Sequence, residues 1–78
     1  MKLSELDINQ TAVVKKINCN NELKQRFYSF GITKGSNIKI EAISLAKNTM
    51  SVIVEDTIIA LRVDEAKTIE VELINETN

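Results

Sequence analysis

The residues able to do chemistry are few in this 78-residue chain, which has one cysteine, Cys19, and no histidine. A thiol with no neighbouring base is a poor nucleophile, and a soft-metal site needs several Cys or His ligands. Glu70 and Glu72 share one strand face, but a hard cation needs more oxygen ligands than these two carboxylates supply. We therefore expect no catalytic residue, no metal site and no cofactor. Cys19 is interpreted as a small buried hydrophobic residue.

The charge balance limits the partners. Ten Lys and Arg residues face eleven Asp and Glu residues, which gives a net charge of -1. A protein that binds nucleic acid through phosphates usually carries a basic excess, so no nucleic acid is expected, although a local basic patch stays open. No apolar run approaches the roughly 20 residues of a membrane span, so no direct membrane insertion is expected. A single cysteine favours a reducing compartment. The composition thus indicates a cytoplasmic protein that is not an enzyme.

One stretch predicts a helix together with its end. Leu23, Phe27 and Phe30 stand at i, i+4 and i+7, which places them on one stripe facing the core. Gly31 follows as the residue of positive φ that ends the helix, and Gly35 follows as the positive-φ residue of a tight turn. We interpret all five residues as structural.

The same helix has an outward face. Asn20 or Asn21 is expected to cap it. Tyr28 falls off the apolar stripe and is predicted to be exposed, either as an anchor for a partner or as an ordinary surface aromatic. Arg26 flanks the stripe, and the sequence leaves open whether it is structural or interfacial. The candidate partner-contact residues are Lys24, Gln25, Tyr28 and Ser29.

The first predicted strand needs an irregularity. Val14 and Ile17 cannot share a face of a regular strand, so we expect a bulge near Lys15 and Lys16. These lysines are interpreted as solvated residues beside an exposed edge, with a contact patch as the alternative. The predicted strands cover residues 11–19, 36–44, 50–54, 58–63 and 68–73.

Shorter segments complete the pattern. Leu3, Leu6 and Ile8 are expected to lie against the core from a single helical turn. Asp56 is predicted to adopt the left-handed conformation in a hairpin. Residues 75–78 are interpreted as a frayed tail. About five short antiparallel strands, with one short α-helix between the first two, predict a mostly β, barrel-like sheet that forms one domain over residues 1–78.

Several short motifs follow one another in a fixed order along the chain: Leu3-Ser4-Glu5-Leu6, Leu23-Lys24-Gln25-Arg26, Gly31-Ile32, Gly35, Ala60-Leu61-Arg62, Glu65-Ala66, and Ile69 with Val71. This ordered set resembles the FeoA family, small cytosolic proteins of bacterial ferrous iron uptake. The resemblance implies an SH3-like barrel and a role as an adaptor that binds the cytosolic part of FeoB, a membrane transporter with a GTP-binding domain.

The resemblance also supplies an alternative and two departures. The same fold serves as an accessory domain in metal-dependent repressors, which implies a regulatory or nucleic-acid-binding role as the alternative. The family is linked to transition metal ions, but its pattern supplies no metal site here. An edge strand can pair with a second copy of the chain, so the sequence leaves open whether the protein forms a homo-oligomer. The chain has no proline near residues 47–50, where relatives usually have an Asp-Pro turn, and Asp56 stands where many have Gly.

Overall fold

The strands form one antiparallel sheet in the computed structural model, which describes residues 1–74. The predicted tail at 75–78 lies outside the described residues. The strand order is β4-β3-β2-β1-β5. The mostly β fold and the position of the main helix between the first two strands are confirmed. The elements are a 3₁₀ turn Leu3–Glu5, β1 Thr11–Ile17, α1 Asn21–Ser29, β2 Asn37–Ile43, β3 Thr49–Val54, β4 Thr57–Arg62, α2 Val63–Ala66 and β5 Ile69–Leu73.

The core is built from residues that alternate along the strands. In the regular parts of the strands every second side chain faces inward and is apolar, because the side-chain period of a strand is two. The two helices and the 3₁₀ turn add one or two side chains each. The buried residues are Leu3, Leu6, Ala12, Val14, Phe27, Ile32, Ile38, Ile40, Met50, Val52, Val54, Ile59, Leu61, Ala66, Ile69 and Val71.

Helix α1 begins and ends as its sequence predicts. Asn20 is the cap, since its side-chain oxygen accepts from the Leu23 N–H at 2.9 Å. At the other end the Ile32 N–H donates to the Phe27 carbonyl at 2.8 Å, and the Gly31 N–H donates to the Tyr28 carbonyl at 3.0 Å. This pair of bonds is a Schellman motif, which satisfies the last carbonyls of the helix. The sequence alone thus predicted where α1 stops.

Two residues predicted to face the core do not. Phe30 is 36% exposed. It caps α1 just before the chain reverses at Gly31, so Ile32 fills the core there and Phe30 stays at the rim. Ile8 is 51% exposed, because the chain leaves the core after Leu6 and turns at Asn9, whose φ is 73°. Leu3 and Leu6 are buried as predicted, and Leu23 is partly buried against the core.

The bulge in β1 is confirmed. The pairing of β1 with β5 shifts register between Val14 and Lys16. The predicted exposed edge is wrong as a description of the sheet, because β1 lies between β2 and β5. However, the pairing of β1 with β2 ends near Val14, so beyond that point β1 is paired with β5 alone among the strands of residues 1–74. A second register shift, between Ile40 and Ala42 in β2, was not predicted and helps to bend the sheet.

The N-terminal residues cover the outer edge of β5. The Val71 N–H donates to the Met1 carbonyl at 2.8 Å, and Lys2 forms a bridge with Glu70. Helix α2 links β4 to β5 directly. No described helix has the length and apolar character needed to cross a bilayer.

The hairpin between β3 and β4 turns on two residues of positive φ, Glu55 at 48° and Asp56 at 67°. Positive φ at both central positions is the pattern of a type I′ turn, which fits the twist of the flanking strands. The left-handed Asp56 is confirmed, while the strained Glu55 was not anticipated.

We expect Asp56→Gly to raise the free energy of unfolding by about 0.5–1 kcal/mol, because glycine carries no Cβ penalty at positive φ. Ala60→Gly in the adjacent strand β4 is the control. There the same residue should lower stability by about 0.5–1 kcal/mol, since strand backbone gains nothing from glycine. Urea denaturation of both variants checks the opposite signs, and a loss of stability in Asp56→Gly would contradict the turn assignment.

Gly31→Ala should lower the free energy of unfolding by about 1–2 kcal/mol through backbone strain at its φ of 86°. A Cβ there would meet Val54 and Glu55 only at 3.8 and 3.9 Å, so no clash adds to the strain. Gly35→Ala, at φ 93° with nothing within 4 Å, should cost a similar amount. A much larger loss for Gly31→Ala than for Gly35→Ala in the same denaturation assay would show that packing is responsible.

Candidate partner-binding face

The outer face of α1 presents the predicted contact residues in two rows. Lys24 and Tyr28 are four residues apart, as are Gln25 and Ser29, and residues at that spacing are neighbours on a helix. Tyr28 is 46% exposed, so its predicted exposure is confirmed. Its ring stands on a helix whose ends are fixed by the Asn20 cap and the Schellman motif. The aromatic side chain is therefore presented from a helix that is capped at both ends.

The structure separates the two rows. Lys24 and Tyr28 line a shallow groove of about 380 Å³ between α1 and β1. Gln25 and Ser29 do not line it, and the Ser29 hydroxyl donates to the Arg26 carbonyl at 2.6 Å. We call this feature the lysine groove; its lining residues are Lys15, Lys16, Ile17, Lys24, Tyr28 and Lys34.

Two backbone features bring the lysines of the groove together. The β1 bulge leaves Lys15 and Lys16 both exposed, although they are consecutive in a strand. The turn that carries Lys34 is bonded to β1, because the Gly35 N–H donates to the Val14 carbonyl at 2.8 Å and the Ser36 carbonyl accepts from the Val14 N–H at 2.8 Å. Gly35 has positive φ in this turn, as predicted.

Sequence reasoning missed the contribution of Lys34. It treated the lysines at 15 and 16 as solvated, with a contact patch as the lesser alternative. The sequence shows a turn at Lys34-Gly35, and a return of that turn to the first strand places a third lysine beside the bulge. Nothing in residue spacing predicts which strand that turn contacts, because the contact joins Val14 to Gly35 across α1.

The lysine groove carries positive charge that the fold does not neutralise. Lys15 pairs with Glu72 at 3.3 Å, with both side chains exposed. Within residues 1–74, Lys16, Lys24 and Lys34 form no ion pair. The groove is therefore a local basic patch on a chain whose net charge is -1.

Arg26 has an internal partner on the opposite side of α1. Its Nη1 donates to the Glu65 Oε2 at 2.8 Å, and the Glu65 side chain is only 16% exposed. The other Glu65 oxygen accepts from the Arg62 N–H at 3.0 Å. Glu65 thus caps α2 and holds Arg26 at the same time. The Arg26 side chain is itself 53% exposed, so the ion pair supports a structural role at the surface, which the sequence left open.

The residues considered for catalysis or metal binding are scattered. Cys19 is a free thiol, partly buried against the core. Glu70 and Glu72 are exposed, and Glu72 is engaged with Lys15. In the described part of the chain, no three His, Cys, Asp or Glu side chains are grouped so that they could hold a metal ion.

A second groove, of about 460 Å³, lies between the 3₁₀ turn and the loop that joins β2 to β3. Ile8 and the fully exposed Leu45 contribute to its wall. Sequence reasoning did not predict this groove, because it expected Ile8 to pack into the core.

Comparison with known proteins identifies the family. The model of the FeoA domain matches residues 1–73. The chain belongs to the FeoA family. A curated Campylobacter jejuni protein named as an Fe(2+) transport protein A is 45% identical over 74 residues, which cover 95% of this chain and 100% of the relative.

Solved structures agree with the fold. The crystal structure of Stenotrophomonas maltophilia FeoA complexed with zinc, described as an SH3 domain protein, superposes with a TM-score of 0.81 at 32% identity, covering 92% of this chain and 89% of that chain. This confirms the SH3-like fold. A manganese-dependent transcriptional repressor superposes with a TM-score of 0.87 at 21% identity, over 95% of this chain and 36% of that chain. That likeness shows a shared fold alone.

A double-mutant cycle tests the structural assignment of Arg26. Removing the ion pair with Arg26→Ala should lower the free energy of unfolding by about 0.5–1 kcal/mol, and Glu65→Ala should cost more, because it also removes the α2 cap. The coupling energy between the two changes should be about 0.5–1 kcal/mol and should shrink in high salt. A coupling energy of zero would mean that the ion pair does not hold α1 against α2.

Proposed function

We propose that this protein is a non-enzymatic accessory protein of ferrous iron uptake, which binds the cytosolic part of a FeoB-like transporter through the outer face of α1. The family match and the naming of its Campylobacter jejuni relative support the transport setting. The observation that carries the docking part is Tyr28, a half-exposed aromatic ring on a helix fixed at both ends. The chain acts in the cytoplasm as one domain, with no cofactor of its own.

The mechanism is docking rather than chemistry. An accessory protein that binds one conformation of a transporter more tightly shifts the conformational equilibrium by the difference in binding free energy. A rigid surface suits this role, because little side-chain and loop freedom is lost on binding. Three features supply that rigidity: the Asn20 cap at one end of α1, the Schellman motif at the other end, and the Arg26–Glu65 ion pair at its side.

The buried face of α1 fixes the orientation of the helix, and its exposed face carries the proposed contact residues. Phe27 is fully buried in the core, so it fixes the rotation of the helix about its axis. That rotation turns Tyr28 and Lys24 toward the lysine groove and Arg26 toward α2. The contact face is therefore a consequence of core packing, and a change at Phe27 would move it.

Substitution of Tyr28 tests the docking face. We expect Tyr28→Ala to weaken binding to the transporter's cytosolic domain by about tenfold or more, as truncation of a central aromatic anchor usually does. Tyr28→Phe should retain most of the affinity if the ring supplies the contact. Isothermal titration, with and without guanine nucleotide, measures both values.

Ile58→Ala is the matched control for Tyr28→Ala. Ile58 is 62% exposed on β4 and does not line the lysine groove. Its truncation removes exposed apolar surface without touching α1, so the affinity should stay within about twofold of the unmodified protein. Equal affinities for Tyr28→Ala and Ile58→Ala would show that the outer face of α1 is not the docking surface.

A further inference from the structure

We propose that the lysine groove binds an acidic, extended segment of a protein partner. The inference rests on the proposed function in one respect: the partner it names is the transporter's cytosolic part. It adds the chemistry of the contact, namely carboxylate side chains of the partner against the ammonium groups of Lys16, Lys24 and Lys34.

The groove lies beside the part of β1 that has one strand neighbour within residues 1–74. The pairing of β1 with β2 ends near Val14, so among the described residues 15–17 have β5 on one side and no paired strand on the other. Helix α1 and the turn bearing Lys34 border the open side. An extended chain laid into this opening would run beside a strand end, as peptides do when they add to a sheet edge.

The positive charge of the groove favours an anionic ligand. Lys16, Lys24 and Lys34 line one groove without an ion-pair partner within residues 1–74, and like charges in one groove repel one another. Bound carboxylates would remove that repulsion. The groove contains no arginine, so it offers ammonium point charges and no planar fork for bidentate recognition. Flexible lysine stems suit carboxylates whose spacing varies along a peptide.

The borders of the groove favour a short acidic segment over a long polyanion. Glu70 lies opposite Lys16 across the β1–β5 pair, and Glu72 is paired with Lys15. A phosphate backbone that extended past the groove would meet these carboxylates and be repelled. Tyr28 is also the single aromatic residue of the groove, whereas surfaces that bind single strands stack several bases.

The test is an NMR titration of the full chain with a synthetic peptide of alternating glutamate and serine. The reference probe is the same peptide with glutamine in place of glutamate. The acidic peptide should shift the amide signals of residues 15–17, 24–28 and 33–35, and the neutral peptide should not. Affinity should fall about fivefold or more between low salt and about 0.3 M salt, because the contacts are exposed and screened.

Two triple variants with equal net charge separate the groove from general electrostatics. The groove variant carries Lys16→Gln, Lys24→Gln and Lys34→Gln, and it should lose about tenfold or more in affinity for the acidic peptide. The control variant carries Lys39→Gln, Lys47→Gln and Lys67→Gln at exposed positions outside the groove, and it should lose less than about threefold. Equal losses in the two variants would overturn the inference. So would tighter binding of oligothymidine than of the acidic peptide at the same residues, which would assign the groove to nucleic acid.

The same variants, titrated against the transporter's cytosolic domain, keep the two proposals apart. Loss of transporter binding in the groove variant, with binding retained in the control variant, supports both proposals. If the acidic peptide binds the groove while the transporter domain does not bind the unmodified protein, the proposed partner is wrong and the chemistry of the groove stands. If the transporter domain binds the groove variant and the control variant equally well, the lysine groove is not its contact and the inference about the groove is overturned. The Tyr28→Ala titration then decides by itself whether the domain docks on α1.

Discussion

The bulge between Val14 and Lys16 is the constraint on which the rest of the structure depends. It allows β1 to place both Val14 and Ile17 toward the core, although they are three positions apart in the strand. It bends the strand away from β2 while β5 follows it. Helix α1 and the turn at Gly35 border the opening that results, and consecutive lysines remain on the outside. One extra residue in a strand thus shapes the core and the candidate binding surface together.

The packing of α1 against the core determines which of its side chains are exposed. Phe27 is locked in the core, and the Schellman motif at Gly31 redirects the chain so that Ile32 is buried too. With the helix fixed, Tyr28 must face outward, while Arg26 meets Glu65 on α2. A docking surface built in this way is stable without a partner, which suits a protein whose proposed function is to favour one conformation of another protein.

The distribution of charge explains how a chain of net charge -1 can present a basic site. The lysines of the groove are drawn from β1, α1 and the turn before β2, which are separate in sequence. Acidic residues on β5 border them and confine the positive patch. A net charge of -1 argues against a broad polyanion-binding surface, but it cannot describe a local groove, because local potential depends on which side chains the fold brings together.

The sequence by itself determined the local features of this protein. Apolar alternation specified the strands, and the stripe with Gly31 specified α1 and its end, because such patterns depend on neighbouring residues. The ordered motifs indicated the family. Burial at the rim was decided by tertiary structure: Phe30 lies on the predicted stripe, yet the core ends before it. The partner of Arg26 and the position of Lys34 beside β1 were likewise decided only by the fold. These contacts join residues distant in sequence, and residue spacing carries no record of which surfaces a bent sheet brings together.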